Sequence, residues 1–323
     1  MYFANDYALQ DGLLQVLCVS QNGCVRRSDA FIFVLNGEVI LLDSGLPEMH
    51  YALMKLLELR SVFLSKRENE LENKEVKLKI TWIVSHMHSD HIGAFLDHLA
   101  YSPYIYIEKA YLPPKTEYFD PILSPDWDGD YKYREKIAQI FYSVHPETEI
   151  IDIPFTSDKV FPVVFSSAFL TILPPVKDWG KGDLRDKSER LYVPFDSEKS
   201  LPISITNGNS LWVVLSYKDK KFVFTGDAMK KYNDEVENFD EMMENWKEYV
   251  KDTNVFKYPH HGLLRNPASI RIAELNPDYV LCNAIDSSAP KVLKERGYEK
   301  QVINFGYEDK LFTVDNDGKM NLG

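Results

Sequence analysis

Apolar positions along this chain fall into short runs of strand length that alternate with stretches of helical spacing. Residues 13–18 and 30–35 read as the first two strands of an opening meander, and Val39-Ile40-Leu41-Leu42 as the third. Residues 48–59 carry the helical pattern, with Pro47 marking its start. Ile80-Thr81-Trp82-Ile83-Val84-Ser85 is apolar and β-branched, the mark of a buried strand, and Ile92-Gly93-Ala94-Phe95-Leu96 opens a helix. Downstream, 211–216 and 221–224 read as strands, and another runs from Val255 into a pair of histidines. A helix reaches Leu275, a strand covers 279–283, a helix over 290–296 is ended by Gly297, and strands at 301–305 and 311–314 follow. This order of elements predicts an α/β protein.

Three stretches depart from the alternation. Residues 66–79 are densely charged with both signs and read as a solvated helix end and loop. Residues 111–129, rich in proline, aspartate and aromatic side chains, look like an insertion: a Pro-rich loop, or a lid with stacking surface for a base or sugar. A second insertion spans 230–252. There Tyr232, Val236, Phe239, Met243, Trp246 and Val250 recur at alternating spacings of four and three, which predicts an amphipathic helix with an acidic outer face. Its stripe either packs on its own domain or buries itself against a protein partner.

The chemistry concentrates in His86-Met87-His88-Ser89-Asp90-His91, which holds three of the chain's eight histidines on a turn between strand and helix. Side chains two apart project the same way, and the turn brings the next pair round beside them. His86 and His88 are so placed to bind one metal ion, and Asp90 and His91 a second one close by. Imidazole and carboxylate suit zinc, manganese or iron. A helix cap at Ser89 or Asp90 with incidental histidines is the competing reading, and the strand-turn-helix context outweighs it.

The pattern His-x-His-x-Asp-His resembles the signature of the metallo-β-lactamase fold, a large group of hydrolases that mostly carry two metals. Further motifs follow in that family's order. A strand ends in Asp43-Ser44-Gly45, another in Thr225-Gly226-Asp227-Ala228, and a third runs into Pro259-His260-His261-Gly262. The resemblance implies that Asp43 supports the metal site from behind and that Asp227 bridges the ions. Asp90 would bind one ion and orient the attacking water. Neighbouring side chains of a strand face opposite ways, so one of the last histidine pair is the ligand: His261 is favoured, with His260 as a phosphate contact or supporting group. The wording of 170–175, of Asn207-Gly208-Asn209-Ser210 and of Pro-His-His-Gly is similar to the hydrolase domain of the competence protein ComEC. It is also similar to the bacterial phosphorylcholine esterase of the same branch. Asn209 and Ser210 are candidates to donate hydrogen bonds to substrate, or else form the turn before a strand. The implied architecture is a four-layer αββα sandwich forming one domain over 1–323. Two departures stand out. Leu263-Leu264-Arg265-Asn266 replaces the serines that usually follow His-His-Gly, and the third-motif histidine of many branches has no counterpart. His98 and His145 read as ordinary polar residues.

Charge bears on the substrate. A net charge of −12 opposes tight, non-specific binding of long nucleic acid, although Lys187, Lys257 and Arg265 can line a groove. Three cysteines (Cys18, Cys24, Cys282) at irregular spacing read as reduced thiols. With no signal peptide and no apolar run near the roughly twenty residues of a membrane span, a cytoplasmic enzyme is expected. The expected function is metal-dependent hydrolysis of a phosphodiester, DNA or RNA included, by a hydroxide activated between two divalent ions, zinc or manganese. One alternative is a small-molecule hydrolase acting on an ester, lactone or phosphorylcholine-type substrate. Another is a non-enzymatic scaffold or an effector that depends on a partner.

Overall fold

The computed structural model describes residues 10–22, 27–48, 50–66, 76–115, 130–177, 206–228, 237–262 and 268–323. The chain first lays down β1 (Leu14–Cys18), β2 (Phe31–Leu35), β3 (Glu38–Leu42), β4 (Leu78–Ile83), β5 (Ile105–Leu112) and β6 (Glu149–Asp152) side by side. It then crosses to a second sheet: β7 (Phe161–Phe165), β8 (Ala168–Leu173), β9 (Trp212–Tyr217), β10 (Lys220–Phe224), β11 (Val255–Lys257), β12 (Tyr279–Cys282) and β13 (Gln301–Asn304). Finally β14 (Lys310–Val314) and β15 (Met320–Leu322) return to the first sheet, β14 pairing with β1. The result is an eight-stranded and a seven-stranded sheet.

Side-chain alternation along the strands separates three apolar layers. In β2, Phe31, Phe33 and Leu35 point between the sheets, while Ile32 and Val34 point outward. In β9, Val213, Leu215 and Tyr217 point between the sheets, and Trp212 and Val214 point outward. Phe224 meets Phe31 and Phe33 across the gap, with ring centroids 4.8 and 5.2 Å apart. Helices α1 (Tyr51–Lys66), α2 (Ser89–Asp97) and α3 (Asp130–Val144) cover the first sheet's outer face, where Trp82 stacks on Phe95 at 3.9 Å. Helices α4 (Glu237–Asn245), α5 (Lys247–Val250), α6 (Ala268–Leu275) and α7 (Ala289–Glu295) cover the second sheet. This is the four-layer αββα sandwich.

Several expectations need correction. Helix α1 begins at Tyr51 and runs on to Lys66, farther than the apolar spacing indicated. Strand β5 continues through Leu112 with Tyr111 buried between the sheets, so no insertion begins at 111; residues 116–129 lie outside the described ones. The amphipathic stripe of the second insertion is split at Trp246 between α4 and α5. Phe239, Met242, Trp246 and Val250 are buried against Trp212 and Phe256 of the second sheet. The Trp246 indole donates to the Pro174 carbonyl at 3.1 Å. The described part of this stripe, with Met243 partly buried, packs on the molecule's own sheet; residues 230–236 are not described. Strand β15 was not anticipated, being three residues long. Among the described residues no helix is long and apolar enough to cross a membrane.

Candidate metal centre

Five parallel strand ends meet at one rim. β3 pairs in parallel with β4, and β10, β11 and β12 pair in parallel with one another, so the segments leaving them open on the same side. Asp43 follows β3, His86 and His88 follow β4, Asp227 follows β10, and His260 and His261 follow β11. Asp90 and His91 lie in the first turn of α2, and Asp29 sits just before β2. Backbone hydrogen bonds tie these segments together: Asp29 N to Asp90 O at 3.2 Å, Leu211 N to Ser85 O at 2.8 Å, and Asn283 N to His261 O at 3.2 Å. The turn at Gly226 is tight. Its φ of 55° is in the left-handed region, and a Cβ would lie 2.9 Å from that of Ser85.

Each central histidine is held at one ring nitrogen and presents the other. His91 Nδ1 lies 2.8 Å from Asp43 Oδ2, and Asp43 also accepts from the Ser85 N–H at 2.8 Å and the Ser85 hydroxyl at 2.7 Å. His91 Nε2 is buried without a hydrogen bond, 3.4 Å from Asp227 Oδ1. His261 Nδ1 lies 3.0 Å from Asn283 Oδ1 and 3.4 Å from Asp29 Oδ1. Its Nε2 lies 3.0 Å from Asp90 Oδ2 and 3.1 Å from Asp227 Oδ2. On the other side His86 Nε2 and His88 Nδ1 are 3.0 Å apart, with Ser85 Oγ 3.1 Å from His86 Nδ1.

Electrostatics follow from this packing. Burial alone would lower the His91 pKa, yet Asp227, Asp43 and Asp90 raise it to about 10. Burial likewise opposes the charge on His261, but Asp227 and Asp29 hold its pKa well above the usual histidine value. Burial would raise Asp90 and Asp227; the facing histidines keep both carboxyls below the usual range. Burial, reinforced by His91 and His88, pushes His86 well below its usual value, and burial takes His260 down to about 4. His86 and His260 are therefore neutral near pH 7.

The structure places the remaining expected residues as follows. His260 and His261 are not strand neighbours. β11 ends at Lys257, and both histidines sit in a left-handed turn with φ of 50° and 60°. The alternation argument does not apply to them, and both rings approach Asp227, His260 at 3.9 Å. Ser210 donates its proton to Asn207 O at 2.8 Å and receives the Asp227 N–H at 3.3 Å, so it shapes the turn that carries Asp227. Asn209 is buried in the same turn. His98 and His145 lie elsewhere, donating to the carbonyls of Pro47 and Ala100 at 2.8 and 2.7 Å. Lys257 lines no groove: it is wholly buried, ion-paired with Asp29 and 3.5 Å from Asp227 Oδ1. Lys187 and Arg265 are outside the described residues.

Asp29, Asn283 and the buried role of Lys257 escaped the sequence reading. Asp29 sits in a polar stretch, Arg27-Ser28-Asp29, that reads as an ordinary turn. A signal for Lys257 did exist, since a lysine inside a central parallel strand, buried on both faces, needs a carboxylate partner.

Ligand atoms of Asp29, His91, Asp227 and His261 all lie within 4.8 Å of one another. With the exposed edge of Asp90 and the His86–His88 pair beside them, these nitrogen and oxygen donors fit a divalent cation. The family profile described as Metallo-beta-lactamase superfamily matches residues 25–282. The chain belongs to the metallo-β-lactamase superfamily. Its members are metallo-hydrolases that use divalent metals, typically zinc. Solved structures similar to this superfamily member include the metallo-β-lactamase fold protein YhfI from Bacillus subtilis, 13% identical over 97% of this chain and 100% of that one, TM-score 0.48. Tm1679, a metal-dependent hydrolase of the β-lactamase superfamily, is 15% identical over 92% and 98%, TM-score 0.46. The short form of human tRNase Z is 10% identical over 91% and 98%, TM-score 0.43. No curated protein matches the chain closely enough to count as a relative.

Proposed function

We propose that this chain is a metal-dependent phosphodiesterase of the ComEC-like branch. It would hold two divalent ions, zinc or manganese, on His86, His88, Asp90, His91, Asp227 and His261. The observation that carries the reading is the double clamp on His91 and His261. Asp43 fixes one ring, Asn283 and Asp29 fix the other, and both Nε2 atoms are left facing Asp227. Carboxylate or amide partners behind a histidine set its tautomer and raise its strength as a ligand. Bound divalent ions supply Lewis acidity and lower the pKa of water.

The protein's own groups supply the rest. Asp227, facing both clamped histidines, would be the carboxylate best placed to help hold the ions. The Asp90 side chain is about a quarter exposed and reaches solvent, which suits it to orient the attacking water. His260, neutral and partly exposed, can donate a hydrogen bond to a phosphoryl oxygen. The motif order around Asn207-Gly208-Asn209-Ser210 and Pro259-His260-His261-Gly262 supports a phosphodiester over other hydrolase substrates. A net charge of −12 favours a second reading, in which the substrate is a small ester of the phosphorylcholine type.

The test is hydrolysis of bis(p-nitrophenyl) phosphate, end-labelled single- and double-stranded oligonucleotides, and p-nitrophenyl phosphorylcholine. Each is assayed with manganese and then zinc, wild type beside Asp90→Ala. Cleavage of bis(p-nitrophenyl) phosphate or of an oligonucleotide that falls at least about 100-fold in Asp90→Ala is expected. Turnover of phosphorylcholine ester alone would move the assignment to the second reading. Metal binding without hydrolysis of any of these would overturn both.

A further inference from the structure

Lys257 is the one lysine or arginine buried inside this ring of carboxylates among the described residues, and stability alone does not account for it. Taking a lysine and its partner out of water costs several kcal/mol per ion, and apolar residues of similar volume commonly hold a fold as well. The ammonium is tethered on three sides. It pairs with Asp29, donates to the Gly226 carbonyl at 2.9 Å, and stands 3.5 Å from Asp227 Oδ1. Asp29, in turn, lies within reach of the same centre as His91, Asp227 and His261. Both of its oxygens are taken: Oδ1 by the Asn283 amide and His261 Nδ1, Oδ2 by Lys257.

We propose that Lys257 is a positioning residue for metal loading: it withholds Asp29 from the cation site and sets a fixed positive charge against Asp227. The inference rests on the dimetal reading above and goes beyond it. Asp29 then orients His261 instead of binding an ion. The ions are offered fewer anionic ligands than the site contains, which leaves more of their charge for substrate. Without Lys257, Oδ2 of Asp29 would lose its ion-pair partner beside His91, His261 and Asp227, and would enter the coordination sphere. Without Asp29, the ammonium would be left with Asp227 as its carboxylate partner and would compete with metal for it.

Those opposite consequences define the experiment. Zn²⁺ affinity is measured by chelator competition, and Co²⁺ absorption bands are recorded for wild type, Lys257→Met, Asp29→Asn and the double variant. Lys257→Met is expected to bind Zn²⁺ at least about tenfold more tightly, given Coulomb interactions at these separations, and to shift the Co²⁺ band through the added carboxylate ligand. Asp29→Asn is expected to bind at least about tenfold more weakly. The double variant, which removes the pair together, should return to within about threefold of wild type. A folded Lys257→Met that binds equally or more weakly would overturn the proposal. If that variant does not fold, the other two decide: a weakened Asp29→Asn rescued in the double variant supports the proposal, and an unchanged Asp29→Asn overturns it. Wild type that binds no metal would instead sink the dimetal reading itself.

Discussion

Asp43 shows how much a single atom's protonation can decide. Its carboxylate accepts three hydrogen bonds, from the Ser85 N–H, the Ser85 hydroxyl and His91 Nδ1. That last bond keeps a proton on Nδ1, so the proton that His91 would shed on binding metal is the one on Nε2, facing Asp227. An asparagine has the same shape but presents an amide NH₂ on one side. Because its oxygen is needed by Ser85 N–H, the NH₂ would face His91 and demand an acceptor at Nδ1. The proton would shift to Nε2, the atom proposed to bind metal. Asp43→Asn is therefore expected to lose about 10- to 100-fold in metal affinity while keeping its fold. Chelator competition measures the affinity, and the pattern of histidine ¹⁵N chemical shifts reports the tautomer. Unchanged affinity would mean that Asp43 plays no part in aiming the ring. Asp43, His86, His88, Asp90, His91, Asp227 and His261 were all legible as chemistry-bearing residues because strand-end polar motifs are short and local. Asp29 and Lys257 were not, because their meaning comes from a contact across 228 positions of sequence, the separation between residues 29 and 257.

At the scale of elements, ten of the fifteen strands among the described residues were readable and their boundaries were not. Apolar runs of strand length located β1 to β4 and β9 to β14, since a sandwich buries both sheets and leaves few polar interruptions. Helix α1 outran its apolar pattern because charged residues continue a helix as readily as they end one. The turn at His260 and His261 was misread as strand, since left-handed backbone in two successive histidines leaves no trace in hydrophobic spacing. Close packing between elements was equally invisible. Gly93 in α2 is the clearest case: a Cβ there would lie 2.3 Å from Pro47 Cδ and 2.6 Å from its backbone nitrogen. On an exposed helix, glycine to alanine would stabilise by up to about 1 kcal/mol. Here the sign reverses, because α2 must retreat from the loop that follows Asp43. Gly93→Ala is expected to cost about 1–3 kcal/mol from overpacking. It should also loosen metal binding, since Asp90 and His91 ride on the same helix. Urea unfolding with and without zinc checks both effects, and a stabilised variant would show that the loop yields.

For the molecule as a whole, the state of the centre should govern how stability depends on pH. Without metal, the carboxylates are balanced by protons on His91 and His261 as well as by Lys257. The His91 pKa is raised from 6.5 to about 10, first against burial and then by Asp227, Asp43 and Asp90. A group whose pKa is higher folded than unfolded stabilises the fold fully below the unfolded value. That contribution is lost as pH rises through the folded value. Metal-free protein should therefore weaken steadily between about pH 6.5 and 10. The depressed pKa values of Asp90 and Asp227 add the mirror image at the acid end, where stability is lost as these carboxylates take up protons. Metal reverses the alkaline limb. Ligand nitrogens must shed their protons before they bind, so loading releases protons and tightens as pH rises. The gap in melting temperature between zinc-loaded and chelator-treated protein should widen from pH 6.5 to 9.5. Calorimetry in buffers of different ionisation enthalpy should count the protons released. A gap that stays constant over this range would mean that His91 and His261 are already neutral in the metal-free state. The four aspartates would then rest on Lys257 alone, a single buried charge too small to balance them, and the carboxylates themselves would have to carry the missing protons.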